Sequence, residues 1–239
     1  MKAVILAAGK GKRMRHLTQE TPKPMLEIGG KPILEHLICG MRDFAEIRDF
    51  FIVTGYLGDQ IRRYFENGTS FGVSIEYGIQ EVQNGTGKAP EVAKEWVGTS
   101  SFLLANGDMK IDPNTFRNVI AQFKEDGFIA LKEANELVHG GAVLLNSEEF
   151  LEKIVEKAET GSVATSWLNA GLYGLPNQAF SYMEQLELSP RGEYEITDAL
   201  NAMARDGLKL RGIPLSGMWA DVRDPETLAQ LNQSGETAD

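Results

Sequence analysis

The sequence predicts an α/β fold in which helices flank a mainly parallel, mixed sheet, and three observations carry that prediction. Short continuous apolar runs stand at residues 3–8, 50–54 and 101–105, as strands buried on both faces require. Segments with helical spacing separate them, so strand and helix alternate as in a right-handed parallel sheet. Turn-forming residues follow the first run (Gly9, Gly11) and the third (Asn106-Gly107-Asp108). Carboxyl ends of such strands are where an open α/β sheet places its ligand crevice.

The first strand, Ala3 to Ala8, breaks into Gly9-Lys10-Gly11-Lys12-Arg13. Pro32 to Met41 has apolar residues at Ile33, Leu34, Leu37, Ile38 and Met41, spaced for a helix with Pro32 in its first turn. Phe50 to Thr54 is a second strand, and Asp59 to Phe65 a short helix with Ile61, Tyr64 and Phe65 inward. A strand at Val73 to Tyr77, a loop at Gly85-Thr86-Gly87 and a helix at Ala89 to Trp96 come next. The strand Ser101 to Ala105 precedes a helix capped by Asp112-Pro113, with Phe116, Val119, Ile120 and Phe123 on one face. The alternation then loosens into strands at Gly127–Lys132, Ala142–Leu145 and Ser166–Leu175, and helices at Asn177–Leu186 and Tyr194–Arg205. Short strands at Leu208–Leu215 and Met218–Val222 lead to a last helix, Pro225–Leu231, with Asp224 as its cap. No repeat, linker or low-complexity tract interrupts the chain, and the tail is polar.

Composition narrows the function. Of 239 residues 42% are apolar and 24% charged, as in ordinary globular proteins. The balance of 24 Lys+Arg against 34 Asp+Glu gives a net charge of −10, which repels a nucleic-acid partner. Anionic ligands would have to meet locally concentrated cations or metal ions. Cys39 is the lone cysteine. An intrachain disulfide and a Cys-rich zinc site are therefore out of reach, and Cys39 reads as a packing residue on its helix. His16, His36 and His139 lack the spacing of a metal-ligand pair. The amino-terminal apolar run is too short for a secretory signal, and no stretch approaches the ~20 residues that span a bilayer. No membrane partner is expected, and the expected compartment is the cytoplasm.

Two motifs near the amino terminus bear on chemistry. In Gly9-Lys10-Gly11-Lys12-Arg13-Met14, glycines allow backbone N–H groups to face an anion, and basic side chains add charge. Met14 stands where a dinucleotide fingerprint needs its third glycine, and the Gly-Lys-Ser/Thr ending of a Walker loop is absent. A phosphate loop of another type and an ordinary strand-to-helix turn both remain. Pro22-Lys23-Pro24 stiffens the backbone around an ammonium, which suits a group held near developing charge or a plain surface loop.

Residues 6–14 (Leu-Ala-Ala-Gly-Lys-Gly-Lys-Arg-Met), Leu17-Thr18, Pro22-Lys23-Pro24-Met25-Leu26 and Gly30-Lys31-Pro32-Ile33-Leu34 together resemble the signature of sugar-1-phosphate nucleotidyltransferases, the glucose-1-phosphate thymidylyltransferases and uridylyltransferases among them. The resemblance continues through Gly55-Tyr56, Gly85-Thr86-Gly87, Asn106-Gly107-Asp108, Glu156-Lys157, Asn169-Ala170-Gly171-Leu172-Tyr173, residues 192–198 and Trp219-Ala220-Asp221. Two places depart from the family pattern: the loop changes around Gly87, and Ala158 replaces a proline.

What the resemblance implies is a Rossmann-like domain of the nucleotide-diphospho-sugar transferase type over residues 1–232. Its nucleotide-binding half is about 1–125, its sugar-phosphate half about 126–232, and 233–239 form the tail. Leu6, Ala8, Gly9 and Gly11 would cradle the nucleotide, with Gln80, Gly85 and Thr86 at the base. Arg13 and Lys23 would be catalytic. Gly141, Glu156, Lys157 and Asn169 would hold the sugar phosphate, and Asp108 and Asp221 would bind Mg²⁺, a hard ion suited to carboxylates at strand ends. Plainer readings stand beside these. Asp108 suits a turn and Asp221 a loop or cap. Glu156-Lys157 suits a solvated helix or strand end, and Asn169 a backbone-satisfying turn. Trp96, Trp167 and Trp219 read as packing, and His16 as incidental.

The implied reaction joins a nucleoside triphosphate, UTP or dTTP in preference, to a sugar 1-phosphate and releases pyrophosphate. A cytidylyltransferase for a non-sugar phosphate and a non-catalytic regulatory homologue are the alternatives. The chain stops soon after its last helix, so a minimal single-function enzyme is expected, with the assembly state, a homo-oligomer included, left open.

Overall fold

The computed structural model describes residues 1–124, 126–134, 140–156 and 163–235. From the amino end, β1 (Lys2–Ala7) leads through the hairpin of β2 (Glu27–Ile28) and β3 (Lys31–Pro32) into α1 (Ile33–Phe44). Then come β4 (Asp49–Thr54), α2 (Gly58–Phe65), β5 (Ser74–Ile79), α3 (Lys94–Val97), β6 (Phe102–Asn106), β7 (Met109–Ile111) and α4 (Asn114–Ala121). The second half supplies β8 (Gly127–Glu133), β9 (Gly141–Leu145), β10 (Leu151–Glu156), β11 (Trp167–Leu175), α5 (Ala179–Glu184) and α6 (Ile196–Arg205). β12 (Leu210–Pro214), β13 (Trp219–Asp221) and α7 (Pro225–Gly235) complete the order.

Among the described residues, nine strands make the central mixed sheet, along the path β10-β9-β11-β6-β1-β4-β5 with β8 and β12 attached through β11. β6, β1, β4 and β5 run parallel, and β11 joins β6 antiparallel, which is how the second half docks onto the first. Side chains of β1 divide between two cores, as the unbroken apolar run predicts. Ala3, Ile5 and Ala7 pack with Leu34, Leu37 and Ile38 of α1 and Phe116 and Val119 of α4. Val4 packs on the other face with Phe180 of α5 and Leu200 and Met203 of α6. Each such fully buried Val, Leu, Ile, Phe or Met side chain contributes roughly 1.5–3 kcal/mol.

A third, small core holds the segment after the glycine turn. Met14, Leu26, Ile28, Ile33 and Val222 are buried together, with Leu17, Leu228 and Leu231 against them. This core ties that segment to the start of α7.

Several elements differ from expectation for identifiable reasons. Ile61 and Phe65 are buried one turn apart on α2, but Tyr64 is 42% exposed and gives its hydroxyl to Glu35 Oε2 at 2.7 Å. The expected helix at 89–96 is a 3-10 turn, Ala89–Ala93, followed by α3. β10 lacks a strand signal in the sequence because polar Glu152, Lys153 and Glu156 interrupt it and a register irregularity follows Leu151, both tolerable on an edge strand. α7 reaches Gly235, past Leu231 and into the segment read as tail, whose residues 236–239 lie outside those described. Among the described residues no helix is long and apolar enough to cross a membrane.

Asp224 acts as the expected cap. Its Oδ1 accepts from the Thr227 N–H at 2.8 Å and from the Thr227 hydroxyl at 2.6 Å, and these bonds hold its carboxyl below the usual carboxylate range. A depressed carboxyl adds stability that is full above the unfolded value of about 3.9 and is lost as pH falls through the lower folded value. Asp224→Ala is therefore expected to cost about 1 kcal/mol at pH 7. In urea melts the gap from wild type should close as pH falls from above the unfolded value of about 3.9 through the lower folded value.

Candidate active site

A cleft of about 950 Å³ opens at the carboxyl ends of β1 and β6. A smaller pocket of about 310 Å³ shares its Gly9, Gly11, Lys12, Arg13, Asp108 and Arg223 and adds Lys23 and Pro24. Leu6, Ala8, Gly9, Gly11 and Arg13 form one part of the cleft wall, Gln80, Gly85 and Thr86 another, and Asn169 a third, with Asp108 and Asp221 between. The structure thus brings together most of the residues that the sequence singled out.

The glycine turn is built around a left-handed residue. Gly11 has φ +60°, and a Cβ there would meet Thr18 Cγ2 at 3.0 Å and Lys23 Cβ at 3.1 Å. The turn is closed by Met14 N–H and the Thr18 hydroxyl, both donating to the Gly11 carbonyl. Only glycine serves here, because the turn must approach the Pro22-Lys23-Pro24 segment closely. Pro22 is extended, and the Met25 N–H donates back to its carbonyl at 2.8 Å. Lys23 is held inward by this frame, its side chain 9% exposed.

A strand pairing that the sequence did not reveal joins the two aspartates: the strand expected at Met218–Val222 is β13, and it pairs with β7. β7 and β13 run antiparallel with Asp221 opposite Met109, and the Val222 N–H donates to the Asp108 carbonyl at 3.0 Å. Lys23 Nζ lies 2.6 Å from Asp108 Oδ2 and 3.5 Å from Asp221 Oδ1. Burial, and next the charge of Asp108, push the Asp221 carboxyl up, while Lys23, Arg13 and Arg223 oppose the rise. Paired acids in such a place call for a cation. Among the described residues no group of three or more His, Cys, Asp and Glu gathers as a metal cage. Two carboxylates nevertheless fit Mg²⁺, which usually takes one or two protein carboxylates and completes its shell with water and phosphate oxygens.

The loop at 84–88 is pinned to the segment ahead of α6. Gly87 N–H donates to the Tyr194 carbonyl at 2.8 Å, Tyr194 N–H to the Asn84 carbonyl at 2.7 Å, and Ile196 N–H to Thr86 Oγ1 at 3.3 Å. Gly85 has φ +121°, and a Cβ would fall 2.2 Å from the Tyr194 carbonyl oxygen, so no side chain fits. Gln80 donates to the Gly85 carbonyl at 3.0 Å, and Gln83 to the Gln80 carbonyl at 2.9 Å. Both glutamines line the cleft. Lys88 sits in the departure from the family pattern. It bonds the Glu184 carbonyl at 2.9 Å, pairs with Glu91 at 2.9 Å and lies over the Tyr194 ring.

On the remaining side, Asn169 stands at the cleft and also makes the local bonds of its plainer reading. It lines the cleft, and it also donates to the buried Tyr173 hydroxyl at 2.8 Å and accepts from Gly171 N–H at 3.1 Å. Gly141 and Glu156 are paired across β9 and β10, but neither is in the cleft wall, where Gly140 stands instead. Burial pushes the Glu156 carboxyl up. Lys157 lies outside the described residues. Asn106, Glu193, Trp219 and Arg223 line the cleft without having been singled out as ligands. Trp219 also donates to the Ala170 carbonyl at 3.0 Å, a packing role. Asn106 stood within the Asn-Gly-Asp motif, so a signal existed for it; the buried Oδ1 of Asn106 has no hydrogen-bond partner. Glu193 likewise stood within the matched segment 192–198, whereas Arg223 is a charge in a turn, which sequence patterning does not distinguish from a solvated one.

Comparison with known proteins gives a consistent result. Residues 2–237 match the family model described as nucleotidyl transferase. The bifunctional protein GlmU of Methanococcus maripaludis (strain C7) is 35% identical over 232 residues, 97% of this chain and 54% of that protein. A bifunctional sugar-1-phosphate nucleotidylyltransferase/acetyltransferase of Sulfurisphaera tokodaii is 32% identical over 238 residues, 98% of this chain and 55% of that protein. The chain spans about half the length of these curated relatives. A Bacillus anthracis chain described as a glucose-1-phosphate thymidylyltransferase, solved with a sucrose, superposes with TM-score 0.86 at 28% identity, covering 100% of this chain and 96% of that one.

Proposed function

The chain belongs to the nucleotidyl transferase family, and from that premise we propose that it condenses a nucleoside triphosphate with a sugar 1-phosphate to give a nucleotide sugar and pyrophosphate. The observation that carries this reading is the position of the Lys23 ammonium against Asp108 and Asp221, beside the Gly9–Arg13 turn. A cation and an acid pair beside a glycine turn suit polyphosphate chemistry.

In this proposal a phosphate oxygen of the sugar 1-phosphate attacks the α-phosphorus in line. The bond to the bridging oxygen breaks, and pyrophosphate leaves with the electron pair. The attacking phosphate is already anionic near neutral pH, so no side chain need take a proton, and catalysis reduces to positioning and charge neutralisation. Gly9 and Gly11 would seat the polyphosphate, and Arg13 and Lys23 would meet charge that grows on it. Gln80, Gly85 and Thr86 would border the base, and Asn169 the sugar phosphate. Asp108 and Asp221 would hold Mg²⁺, which when bound neutralises phosphate charge. UTP or dTTP is favoured because the Gly85-Thr86 loop resembles that of pyrimidine users and a similar chain is described as a thymidylyltransferase. The proposed compartment is the cytoplasm, since highly charged phosphate substrates do not cross bilayers unaided.

The test is a grid of UTP, dTTP, CTP and GTP against several sugar 1-phosphates and phosphocholine, read by pyrophosphate release. Release that requires a triphosphate and a sugar 1-phosphate together is the expected result. Release with phosphocholine alone would favour the non-sugar alternative, and none with any pair would refute transfer. Lys88→Ala, which frees the base loop from α5, is expected to raise the KM for the triphosphate about fivefold, the worth of roughly 1 kcal/mol of lost hydrogen bonding. Its kcat should change much less in steady-state assays.

A further inference from the structure

We infer that Arg223 is a second arginine for the polyphosphate, reaching its outer phosphates from the β13–α7 turn. This rests on the transferase reading and extends it to a residue that the family pattern did not suggest.

The backbone at this point is fixed. Val222 is wholly buried in the small core with Met14, so the turn carrying Arg223 is tied to the segment that follows Gly11. Arg223 N–H closes a tight turn onto the Asp221 carbonyl at 2.8 Å. The side chain therefore leaves the chain two residues from an acid beside Lys23, from an anchored base. It lines both the large cleft and the smaller pocket.

The walls of the smaller pocket identify which part of a substrate belongs there. They include Gly9, Gly11, Lys12, Arg13 and Lys23, but not Gln80, Gly85, Thr86 or Asn169. A ligand spanning the cleft from the base loop would place its polyphosphate end in that pocket. Arg223 faces it together with three other cations, opposed by Asp108 and Glu193. In a chain of net charge −10 this is a local concentration of positive charge.

The guanidinium is also lightly committed. Its Nε is 3.6 Å from Asp224 Oδ2, with both side chains about a third exposed, while Asp224 Oδ1 is occupied by Thr227. An exposed pair of that length holds little energy. A phosphate that offers two oxygens to the planar fork is a stronger partner.

Inorganic tripolyphosphate in Mg²⁺ buffer is the probe, its binding to the full chain read by calorimetry. Arg223→Ala is expected to weaken it about tenfold or more, the loss of one charge-assisted contact. Arg223→Lys should fall between, because it keeps the charge and loses the fork. Thermal melts of both variants should match wild type, which separates site from scaffold. In pyrophosphorolysis of a nucleotide sugar, the KM for pyrophosphate should rise by a similar factor in Arg223→Ala. A wild-type protein that does not bind tripolyphosphate, or an Arg223→Ala variant within twofold of it, overturns the inference. Arg223-dependent binding in a protein that turns over no pair in the substrate grid upholds the Arg223 site and sinks the transferase reading instead.

Discussion

Lys23→Met is expected to lower turnover about a hundredfold to a thousandfold, the range for losing one preorganised charge at a reacting centre. Methionine keeps much of the length and fills the same buried slot, so the change isolates the ammonium. Two losses are predicted, and they separate experimentally. The transition state loses a cation that the Pro22 and Pro24 backbone holds in place. The resting protein loses the counter-charge for Asp108 at 2.6 Å and Asp221 at 3.5 Å. Removing one partner of a fully buried pair costs about 3–5 kcal/mol. Here the acids are 31% and 34% exposed, so solvent absorbs most of that, and about 1 kcal/mol is expected. Added Mg²⁺ should restore the melting temperature of the variant without restoring its turnover. A variant that turns over normally would show that the ammonium organises the acids and takes no part in transfer.

Asp108→Asn is expected to cut turnover by about three orders of magnitude or more, with the Mg²⁺ dependence of any residual activity shifted to much higher concentration. The substitution preserves shape and removes charge. The reason for a large effect is that Asp108 and Asp221 are the two carboxylates within reach of Lys23 Nζ, and no group of three or more His, Cys, Asp and Glu among the described residues gathers as a metal cage. Asp221 alone cannot supply the same field, and its carboxyl is already pushed up by burial and by Asp108. Pyrophosphate release measured against Mg²⁺ concentration reads both effects. A variant with wild-type turnover and wild-type Mg²⁺ dependence would leave Asp108 with its plainer role, a turn after Gly107.

What the sequence revealed depends on how local each feature is. β1, β4 and β6 are apolar on both faces because both faces are covered, so their runs were legible. The glycine turn and the capping role of Asp224 depend on neighbouring residues and were legible for the same reason. β7 is three residues long, and although β13 was expected as a strand it lies far along the chain, so no local pattern announces their pairing. Yet that pairing is what sets Asp108 beside Asp221. β10 is an edge strand with charged residues and lacks the apolar signal of a central one. Tyr64 falls beside the buried stripe of α2, where helical spacing alone does not decide between core and rim. On the sugar side, Asn169 reached the cleft but Gly141 and Glu156 stand outside its wall. The resemblance carried their positions in the sequence and not their placement in space. Arg223 needed the fold itself, since its proximity to Arg13 and Lys23 depends on the small core around Val222.

In the proposed site the glycine turn, Lys23 and the two aspartates serve one polyphosphate. The most direct test of this is a crystal structure with a non-hydrolysable triphosphate and Mn²⁺ in place of Mg²⁺, with the metal located by anomalous scattering. The expected map has one peak coordinated by carboxylate oxygens of both Asp108 and Asp221 at about 2 Å, with Lys23 Nζ and Arg13 against phosphate oxygens. A metal peak touching neither aspartate, or a triphosphate seated away from Gly9–Arg13, would contradict it.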